Sequence, residues 1–259
     1  MYQIITKINP KRQVKETMSI RLMVMLNPAC ELEYADAWIV VDVLRATTMM
    51  TTFFERGGKV ILPVKSVEEA YDLKRKLGSD WLLMGERNSL PPPNFDCGNS
   101  PVELLDCFLG TYEGAIMTTT NGTKALLLAS TFANIVCVGC VRNATAVLEV
   151  ALKYGNKIGI LCAGRFNRAM IDDTACAGLM VDIVRDRVEN VDLNDGGKIA
   201  LAVWEYYDKN MFKAFKDAEH VQSLRALGLW NDVEYAALQD KSNIVPKLEI
   251  WQGLKAVIA

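Results

Sequence analysis

The residues best suited to chemistry lie in segment 39–48, where an apolar run ends in an acid. Asp42 closes that run, Arg45 follows it, and Thr47 and Thr48 open a predicted helix. A carboxylate at the carboxyl end of a strand is placed to hold a divalent cation, and a helix N-terminus with hydroxyls and an arginine is placed to hold an anion. The spacing therefore predicts a metal and a phosphate group gathered at the edge of an α/β sheet.

Each of these residues also has a structural interpretation. Asp42 would equally cap the following helix or form a salt bridge with Arg45. The two threonines are poor helix formers, so either hydroxyl capping or contact with an anion would explain them at a helix start. A phosphatase of the haloacid-dehalogenase type is excluded, because it needs a second Asp at the position that Leu44 occupies here.

A second acid, Glu86, ends a second apolar run, residues 81–85. One or two carboxylates, completed by waters and substrate oxygens, are what Mg²⁺ requires of a protein. We therefore predict Asp42 and Glu86 as metal ligands and Mg²⁺ as the cofactor. The alternative for Glu86 is an acid in a surface turn.

Two further segments are polar and turn-forming. Segment 95–101, FDCGNSP, starts a helix with exposed N–H groups, an amide and a hydroxyl, although a plain capped helix would look the same. Segment 118–123, TTTNGT, either forms a tight turn or lets successive N–H groups converge on an anion; it lacks the Walker A pattern. The substrate-binding residues predicted here are Gly98, Asn99, Ser100, Thr119, Thr120, Asn121 and Gly122.

Another polar group follows the apolar run 157–162. Arg168 offers a further guanidinium, and Asp172 and Asp173 precede an apolar helix. Paired acids at that position either cap the helix or supply a third carboxylate for metal binding or for general acid–base catalysis. The chain has one histidine and no Gly-x-Ser-x-Gly elbow. The groups that remain for catalysis are carboxylates, arginines, hydroxyls and backbone N–H groups.

The composition argues against several classes of partner. The chain has 259 residues and a formal net charge of −2, and no basic run is interleaved with aromatics, so we expect no nucleic-acid partner. Its apolar runs are far shorter than the roughly 20 residues that cross a bilayer, so we expect no membrane association. The basic N-terminal stretch lacks the apolar core of a secretory signal, and Met18 is an alternative start with residues 1–17 as an extension.

Seven scattered cysteines, an odd number, favour reduced thiols and a cytoplasmic location over a disulfide framework. Cys137 and Cys140 have CxxC spacing inside an apolar run. For this pair we favour buried structural thiols over a zinc or redox site.

Short apolar runs alternate with helical patterns, which predicts an α/β fold of two α/β lobes with mostly parallel sheets flanked by helices. We place the lobes at residues 18–135 and 136–259, and we expect the chain to be helical from about residue 198 onward. Strands are predicted at 21–26, 37–43, 59–64, 81–85, 114–118, 134–139 and 157–162. Helices are predicted at 45–56, 66–77, 101–109, 122–130, 143–154 and 173–188.

With these residues in place, the chain resembles the 2-phosphosulfolactate phosphatase family. The matching segments are VVDVLRATT (40–48), GER (85–87), FDCGNSPVE (95–103), TTTNGTKAL (118–126), CAG with Arg168 and DDTACAG (162–178), and VPKL (245–248). The resemblance implies a cytoplasmic, Mg²⁺-dependent acid phosphatase of two lobes, with the site between them. It implies conversion of 2-phosphosulfolactate to sulfolactate, a step towards coenzyme M in methanogens.

The chain also departs from the family pattern. Where the family often shows Arg-Phe-Ser-Leu-Glu-Asp, this chain has RAMIDD at 168–173. After His220, the Gly-Arg-Arg of the family is replaced by Val221, Gln222 and Ser223, which removes two candidate anion ligands.

Taken together, the sequence predicts a phosphomonoesterase whose partner is a small anionic phosphoester. Asp42, Arg45 and Asp173 are its predicted catalytic residues; Thr47, Thr48 and segment 118–123 would cradle the transferring group, while Arg168 and Asn99 would hold the other acid groups of the substrate. Direct attack by water and a phospho-enzyme on Asp42 are both open. The alternative is a non-catalytic anion- or nucleotide-binding protein on the same scaffold.

Overall fold

The computed structural model describes residues 19–259 and confirms the predicted α/β class. The alternative start at Met18 and the extension before it lie outside the described residues. The strands are β1 (Ser19–Met25), β2 (Ala35–Val41), β3 (Ile61–Pro63), β4 (Trp81–Gly85), β5 (Gly114–Thr118), β6 (Ala133–Gly139), β7 (Lys157–Cys162), β8 (Asn190–Leu193), β9 (Lys247–Trp251) and β10 (Leu254–Ile258). The helices are α1 (Ala46–Glu55), α2 (Val67–Leu77), α3 (Pro101–Leu104), α4 (Gly122–Ala129), α5 (Ala144–Ala151), α6 (Ile171–Arg187), α7 (Asp195–Tyr206), α8 (Met211–Asp217), α9 (Glu219–Ala226) and α10 (Trp230–Ala236).

The strands form one sheet built from two parallel groups. The order is β4-β5-β3-β10-β9-β6-β2-β7-β1-β8, and neighbours are parallel within β4-β5-β3 and within β6-β2-β7-β1-β8. The hairpin β9–β10 joins the groups through antiparallel pairs on both of its sides. Both predicted lobes contribute strands to this sheet, and the division at residue 135 stays a prediction.

The larger parallel group is buried on both faces. Along β2, Ala37, Ile39 and Val41 belong to one hydrophobic cluster, while Trp38 and Val40 belong to another. Successive side chains of a strand point to opposite faces, so this alternation means that helices cover the strand on each side. The near-continuous apolar run in the sequence reflects that double burial.

The second cluster also includes residues of the smaller group, among them Met84 of β4 and Met117 of β5, together with residues of α1 and α4. Three successive antiparallel pairings separate β6 from β3, so the two parallel groups run in opposite directions. In a flat sheet their carboxyl ends would lie at opposite edges. Residues of both groups nevertheless pack together in the second cluster.

All seven predicted strands are present, with ends shifted by two residues at most. The prediction of an all-helical chain after residue 198 is wrong, because β9 and β10 close the chain as a hairpin. Gln252 and Gly253, at φ 48° and 80°, make the turn between these strands. Consecutive residues in the left-handed region are the signature of a two-residue hairpin turn.

Candidate active site

The loops after β2, β4 and β5 and the turn after β7 meet at one pocket of about 30 Å³. Six of the predicted site residues line it together, although they come from widely separated parts of the chain. They are Asp42, Arg45, Glu86, Asn99, Thr120 and Asn121.

Asp42 lies between the end of β2 and the start of α1. Its Oδ1 accepts a hydrogen bond of 3.2 Å from the N–H of Ala46, so it also caps the helix, as one of the two interpretations held. Burial raises the pKa of Asp42 to about 6; the Ala46 N–H opposes this shift, and the carboxylate of Glu86 adds to it. Asp42 is therefore a buried carboxyl group whose charged form is stabilised by any cation brought to it.

Thr47 and Thr48 lie behind Asp42, away from the pocket, and both are fully buried. Thr47 Oγ1 accepts the N–H of Asp42 at 3.1 Å, and Thr48 Oγ1 donates to the carbonyl of Val43 at 2.7 Å. The predicted substrate contacts of these hydroxyls are replaced by contacts that fix the backbone on either side of Asp42.

Glu86 faces Asp42 from the end of β4. Its Oε1 accepts the N–H of Thr120 at 2.7 Å, and its Oε2 accepts the N–H of Ser89 at 2.9 Å. The side chain is 9% exposed, so it is not the surface turn acid of the alternative interpretation. Each carboxylate oxygen keeps lone pairs for a further ligand, because a carboxylate has about four acceptor sites.

The ion partner of Arg45 within the described part of the chain is Asp232 of α10, not Asp42. The Nη1–Oδ2 distance is 2.8 Å, and Nη2 donates to the carbonyl of Ser89 at 2.7 Å. Ser100 completes the network by donating its hydroxyl to Asp232 Oδ1 at 2.6 Å. Ser100 thus supports the site from behind, where a substrate contact was predicted.

Asn99 is the residue of segment 95–101 that lines the pocket. Its side-chain oxygen is buried and has no hydrogen-bond partner among the described residues. A buried polar atom without a partner is costly, so it marks a position for a ligand atom. The neighbouring Gly98 lines a separate cavity and gives its carbonyl to the N–H of Gly85 at 3.2 Å.

Segment 118–123 contributes both support and pocket wall. Thr119 caps α4 by exchanging hydrogen bonds with Thr123, so its hydroxyl is committed to the helix. Gly122 lies so close to the β2–α1 turn that a Cβ there would be 2.6 Å from Asp42 Oδ2 and 2.6 Å from the Cβ of Ala46. The N–H groups of Asn121 and Gly122, at the start of the helix, have no intrahelical acceptor.

Asp173, predicted as catalytic, holds two loops together instead. Its Oδ1 accepts the N–H of Val43 and its Oδ2 accepts the N–H of Gly164, both at 2.9 Å. Burial, reinforced by the carboxylates of Asp172 and Asp42, raises the pKa of Asp173, while the two N–H donors lower it. The group ties the end of β2 to the end of β7, and it does not line the pocket.

The turn after β7 brings Arg165 to the pocket, not the predicted Arg168. Arg165 and Arg168 exchange backbone hydrogen bonds, and Phe166 and Asn167 between them have φ of 52° and 58°. This tight turn leaves Arg168 exposed, whereas Arg165 and Phe166 line the pocket. Within residues 19–259 no ion pair neutralises the guanidinium of Arg165.

His220, which sequence reasoning left without a role, also lines the pocket. Its Nδ1 is 3.8 Å from Oδ2 of Asp172, and Oδ1 of Asp172 is buried without a partner. Asp232 was missed in the same way. Both residues lie in ordinary helical sequence, where a single polar residue gives no local signal of burial.

The donors in this pocket fit Mg²⁺. Asp42 and Glu86 present carboxylate oxygens, and Asn99 presents an amide oxygen without a partner. Among residues 19–259, no three His, Cys, Asp or Glu side chains form a cluster that would enclose a metal. A site of two carboxylates suits Mg²⁺, which keeps waters and binds substrate oxygens in place of a full protein cage.

The CxxC pair, Cys137 and Cys140, is buried in the core. Burial raises the pKa of the Cys137 thiol to about 12. Cys140 Sγ is 3.6 Å from the hydroxyl of Thr51. A buried thiol with a raised pKa is unreactive, so both cysteines serve the core.

The sequence of the whole site agrees with a known group of enzymes. A family model described as 2-phosphosulpholactate phosphatase matches residues 26–250. The chain belongs to this family. As a member of the 2-phosphosulfolactate phosphatase family, it is a phosphoric monoester hydrolase. Across residues 19–259, the helices are too short or too polar to cross a bilayer.

Three bacterial members of the family, each named "Probable 2-phosphosulfolactate phosphatase", illustrate the similarity. The protein of Clostridium acetobutylicum is 37% identical over 210 residues, which cover 81% of this chain and 88% of that protein. The protein of Deinococcus radiodurans is 37% identical over 232 residues, covering 88% and 93%. The protein of Thermus thermophilus is 36% identical over 230 residues, covering 88% and 94%.

Proposed function

We propose that this chain hydrolyses the phosphate monoester of a small 2-phospho acid, converting 2-phosphosulfolactate to sulfolactate with Mg²⁺ as cofactor. The names of its relatives support this substrate. The observation that carries the proposal is the convergence of Asp42, Glu86 and Asn121 on one pocket. Phosphoryl transfer needs little covalent chemistry from a protein and depends on positioning and charge stabilisation, which such a pocket supplies.

Asp42 and Glu86 would hold the cation, with the amide oxygen of Asn99 as a further donor. When bound, Mg²⁺ draws charge from the phosphoryl oxygens and so favours attack at phosphorus. The chain prepares its ligands through the backbone, because the N–H groups of Ser89 and Thr120 fix the Glu86 carboxylate. The N–H of Ala46 likewise holds the Asp42 carboxylate, and the Thr47 hydroxyl accepts the backbone N–H of Asp42.

The transferring phosphoryl group would be held at the start of α4 by the N–H groups of Asn121 and Gly122. Arg45 adds positive charge in the pocket, and its guanidinium is kept in orientation by Asp232 and by the carbonyl of Ser89. A planar guanidinium that is fixed in advance loses little freedom on binding an anion.

The other acid groups of the substrate would be held by Arg165. Its guanidinium lines the pocket and is the pocket arginine without an anionic partner among the described residues. An arginine suits both a carboxylate and a sulfonate, because its N–H groups form a planar fork.

The test is release of inorganic phosphate from 2-phosphosulfolactate and from 2-phospholactate, with and without Mg²⁺. We expect metal-dependent release, with a preference for the sulfonate. Asp42→Asn should lose more than about 10²-fold in kcat while remaining folded, because removing a group that holds transition-state charge has effects of this size. Asp195→Asn, at a side chain that is 93% exposed, is the control.

Two results would contradict the proposal. Release that is independent of Mg²⁺ would remove the cation from it. Failure to release phosphate from either substrate, with binding retained, would favour an anion-binding protein on the same scaffold.

A further inference from the structure

His220 is the only histidine of the chain and lies at the start of α9, facing the same pocket as Asp42 and Glu86. Its side chain is 16% exposed, so it is shielded from bulk water without being sealed off. An imidazole exchanges a proton more readily near neutral pH than any other side chain. A lone imidazole in a phosphoester pocket can therefore transfer a proton, and the proposed function gives this residue no role.

Asp172 supports this imidazole from behind. Its Oδ2 lies 3.8 Å from His220 Nδ1, and its side chain is only 3% exposed. Oδ1 of Asp172 is buried and has no hydrogen-bond partner within residues 19–259, which makes the carboxylate costly unless a positive or donating group faces it. A carboxylate that faces Nδ1 orients the imidazole and leaves Nε2 for the pocket.

The distance of 3.8 Å exceeds that of a hydrogen bond. Contacts between catalytic groups are often long without substrate and shorten when it binds. His220 Nδ1 and Asp172 Oδ2 already face each other, and they need to approach by less than about 1 Å to form a hydrogen bond.

The reaction itself needs a proton donor. Hydrolysis of an alkyl phosphate breaks the bond from phosphorus to a secondary alcohol oxygen, and the alkoxide that leaves is strongly basic. Among the described pocket residues, Asp42 and Glu86 are assigned to the cation, and arginines do not release protons. His220 is the remaining group that can donate one.

We propose that His220 donates its Nε2 proton to the leaving oxygen, with Asp172 as its positioning residue; this inference rests on the proposed function. As the oxygen of water bonds to phosphorus, the bond from phosphorus to the alcohol oxygen breaks, and its electron pair goes to that oxygen. The alcohol oxygen takes the proton from Nε2. The proton lost by the attacking water passes to the solvent, which also reprotonates the imidazole. The products are the alcohol and inorganic phosphate.

The test compares two substrates of similar size, 2-phospholactate and its 3,3,3-trifluoro analogue, whose alcohol is more acidic and needs a proton less. His220→Gln should lose about 10²-fold or more in kcat on 2-phospholactate, the usual contribution of a general acid, and at most about 10-fold on the trifluoro compound. Glu219→Gln, at the exposed neighbouring position of the same helix, should match the wild type on both.

Asp172→Asn tests the positioning role. We expect it to lower kcat on 2-phospholactate by about 10-fold, with KM little changed and the trifluoro compound less affected. Because the chain has one histidine, the ¹⁵N signals of His220 can be observed without assignment, and they should show the proton moving away from Nδ1 in this variant.

The outcomes separate this inference from the function on which it rests. Equal losses on the two substrates in His220→Gln would mean that the imidazole only binds the substrate, and would overturn the inference alone. A wild-type chain that hydrolyses neither 2-phosphosulfolactate nor 2-phospholactate would overturn the proposed function, and the inference with it.

Discussion

At the scale of single residues, the site depends on how each buried acid is neutralised. Glu86 and Asp173 each accept two backbone N–H groups, and Asp232 faces a guanidinium. Among the described residues, the Asp42 carboxylate accepts one hydrogen bond, from the N–H of Ala46, and burial raises its pKa to about 6. Asp42 thus has less compensation than Glu86, Asp173 or Asp232, and it lines the pocket, which is where a cation would bind.

This burial makes Asp42 a cost to the fold at neutral pH. Its pKa rises from 3.8 unfolded to about 6 folded, so the folded chain binds more protons between these values. The cost is absent at low pH, grows as the pH rises through that window, and is complete above it at roughly 3 kcal/mol.

Asp42→Asn should therefore be more stable than the wild type without Mg²⁺. We expect a gain in the free energy of unfolding of about 3 kcal/mol near pH 7.5 and about 1 kcal/mol near pH 4.5, from urea unfolding in a chelator. Mg²⁺ should raise the stability of the wild type and not that of the variant. A gain that is the same at both pH values would contradict the burial of a charged Asp42.

Gly122 and Gly98 provide a matched pair of substitutions. A Cβ at Gly122 would lie 2.6 Å from Asp42 Oδ2, whereas a Cβ at Gly98 would meet nothing closer than 3.6 Å. Gly122→Ala should lose most activity and about 1 to 3 kcal/mol of stability, because it overpacks the β2–α1 turn. Gly98→Ala should keep activity within about 3-fold of the wild type and change the unfolding midpoint little. Equal activity in the two variants would show that the close approach of Gly122 is not needed.

At the scale of elements, α10 connects parts of the site that are distant in sequence. Asp232 binds Arg45 before α1, and it also accepts the Ser100 hydroxyl and the Val102 N–H at the start of α3. Ser100 in turn caps α3. The orientation of Arg45 and the position of Asn99 therefore depend on one carboxylate from a late helix.

Asp232→Asn should test this connection. It leaves the buried Arg45 without a counter-charge, so we expect a loss of about 3 to 5 kcal/mol in the free energy of unfolding, together with a raised KM. Asp208→Asn removes an ion pair whose acid is 77% exposed, and it should cost less than about 1 kcal/mol. Similar losses in the two variants would mean that the Arg45–Asp232 pair is not a structural link.

At the scale of the whole molecule, the hairpin β9–β10 joins the two halves of the sheet. It separates two parallel groups that run in opposite directions. Leu248 of β9 pairs with Val136 on one side and with Val257 on the other, and Val257 pairs with Ile61 of β3. Residues of both groups pack into the shared hydrophobic cluster, and the loops after β2 and β4 line one pocket.

Leu248→Ala should weaken this junction. The side chain is 8% exposed and belongs to the shared cluster, so we expect a loss of about 2 to 5 kcal/mol in the free energy of unfolding. Leu254→Ala, in the same hairpin but 39% exposed, should cost less than about 1 kcal/mol. A small loss at Leu248 would show that the hairpin does not hold the two groups in place.

The sequence determined seven of the strands and the acids that follow two of them. Each apolar run became a strand, and Asp42 and Glu86 follow strands as predicted, because strand formation and the polar residue that ends it depend on neighbours in the chain. Thr47, Thr48 and Asp173 were also predicted as site residues, because their residue types suit contact with a ligand. Their polar atoms form hydrogen bonds with the backbone instead.

Only the tertiary structure decided which residues share the pocket. The choice of Arg165 over Arg168 depends on a tight turn, and the roles of His220 and Asp232 depend on partners far away in the chain. The two parallel groups are joined by a hairpin that pairs with both of them and reverses one relative to the other. Such pairings depend on burial and strand register between distant parts of the chain. The local pattern of residues predicts neither the burial nor the register.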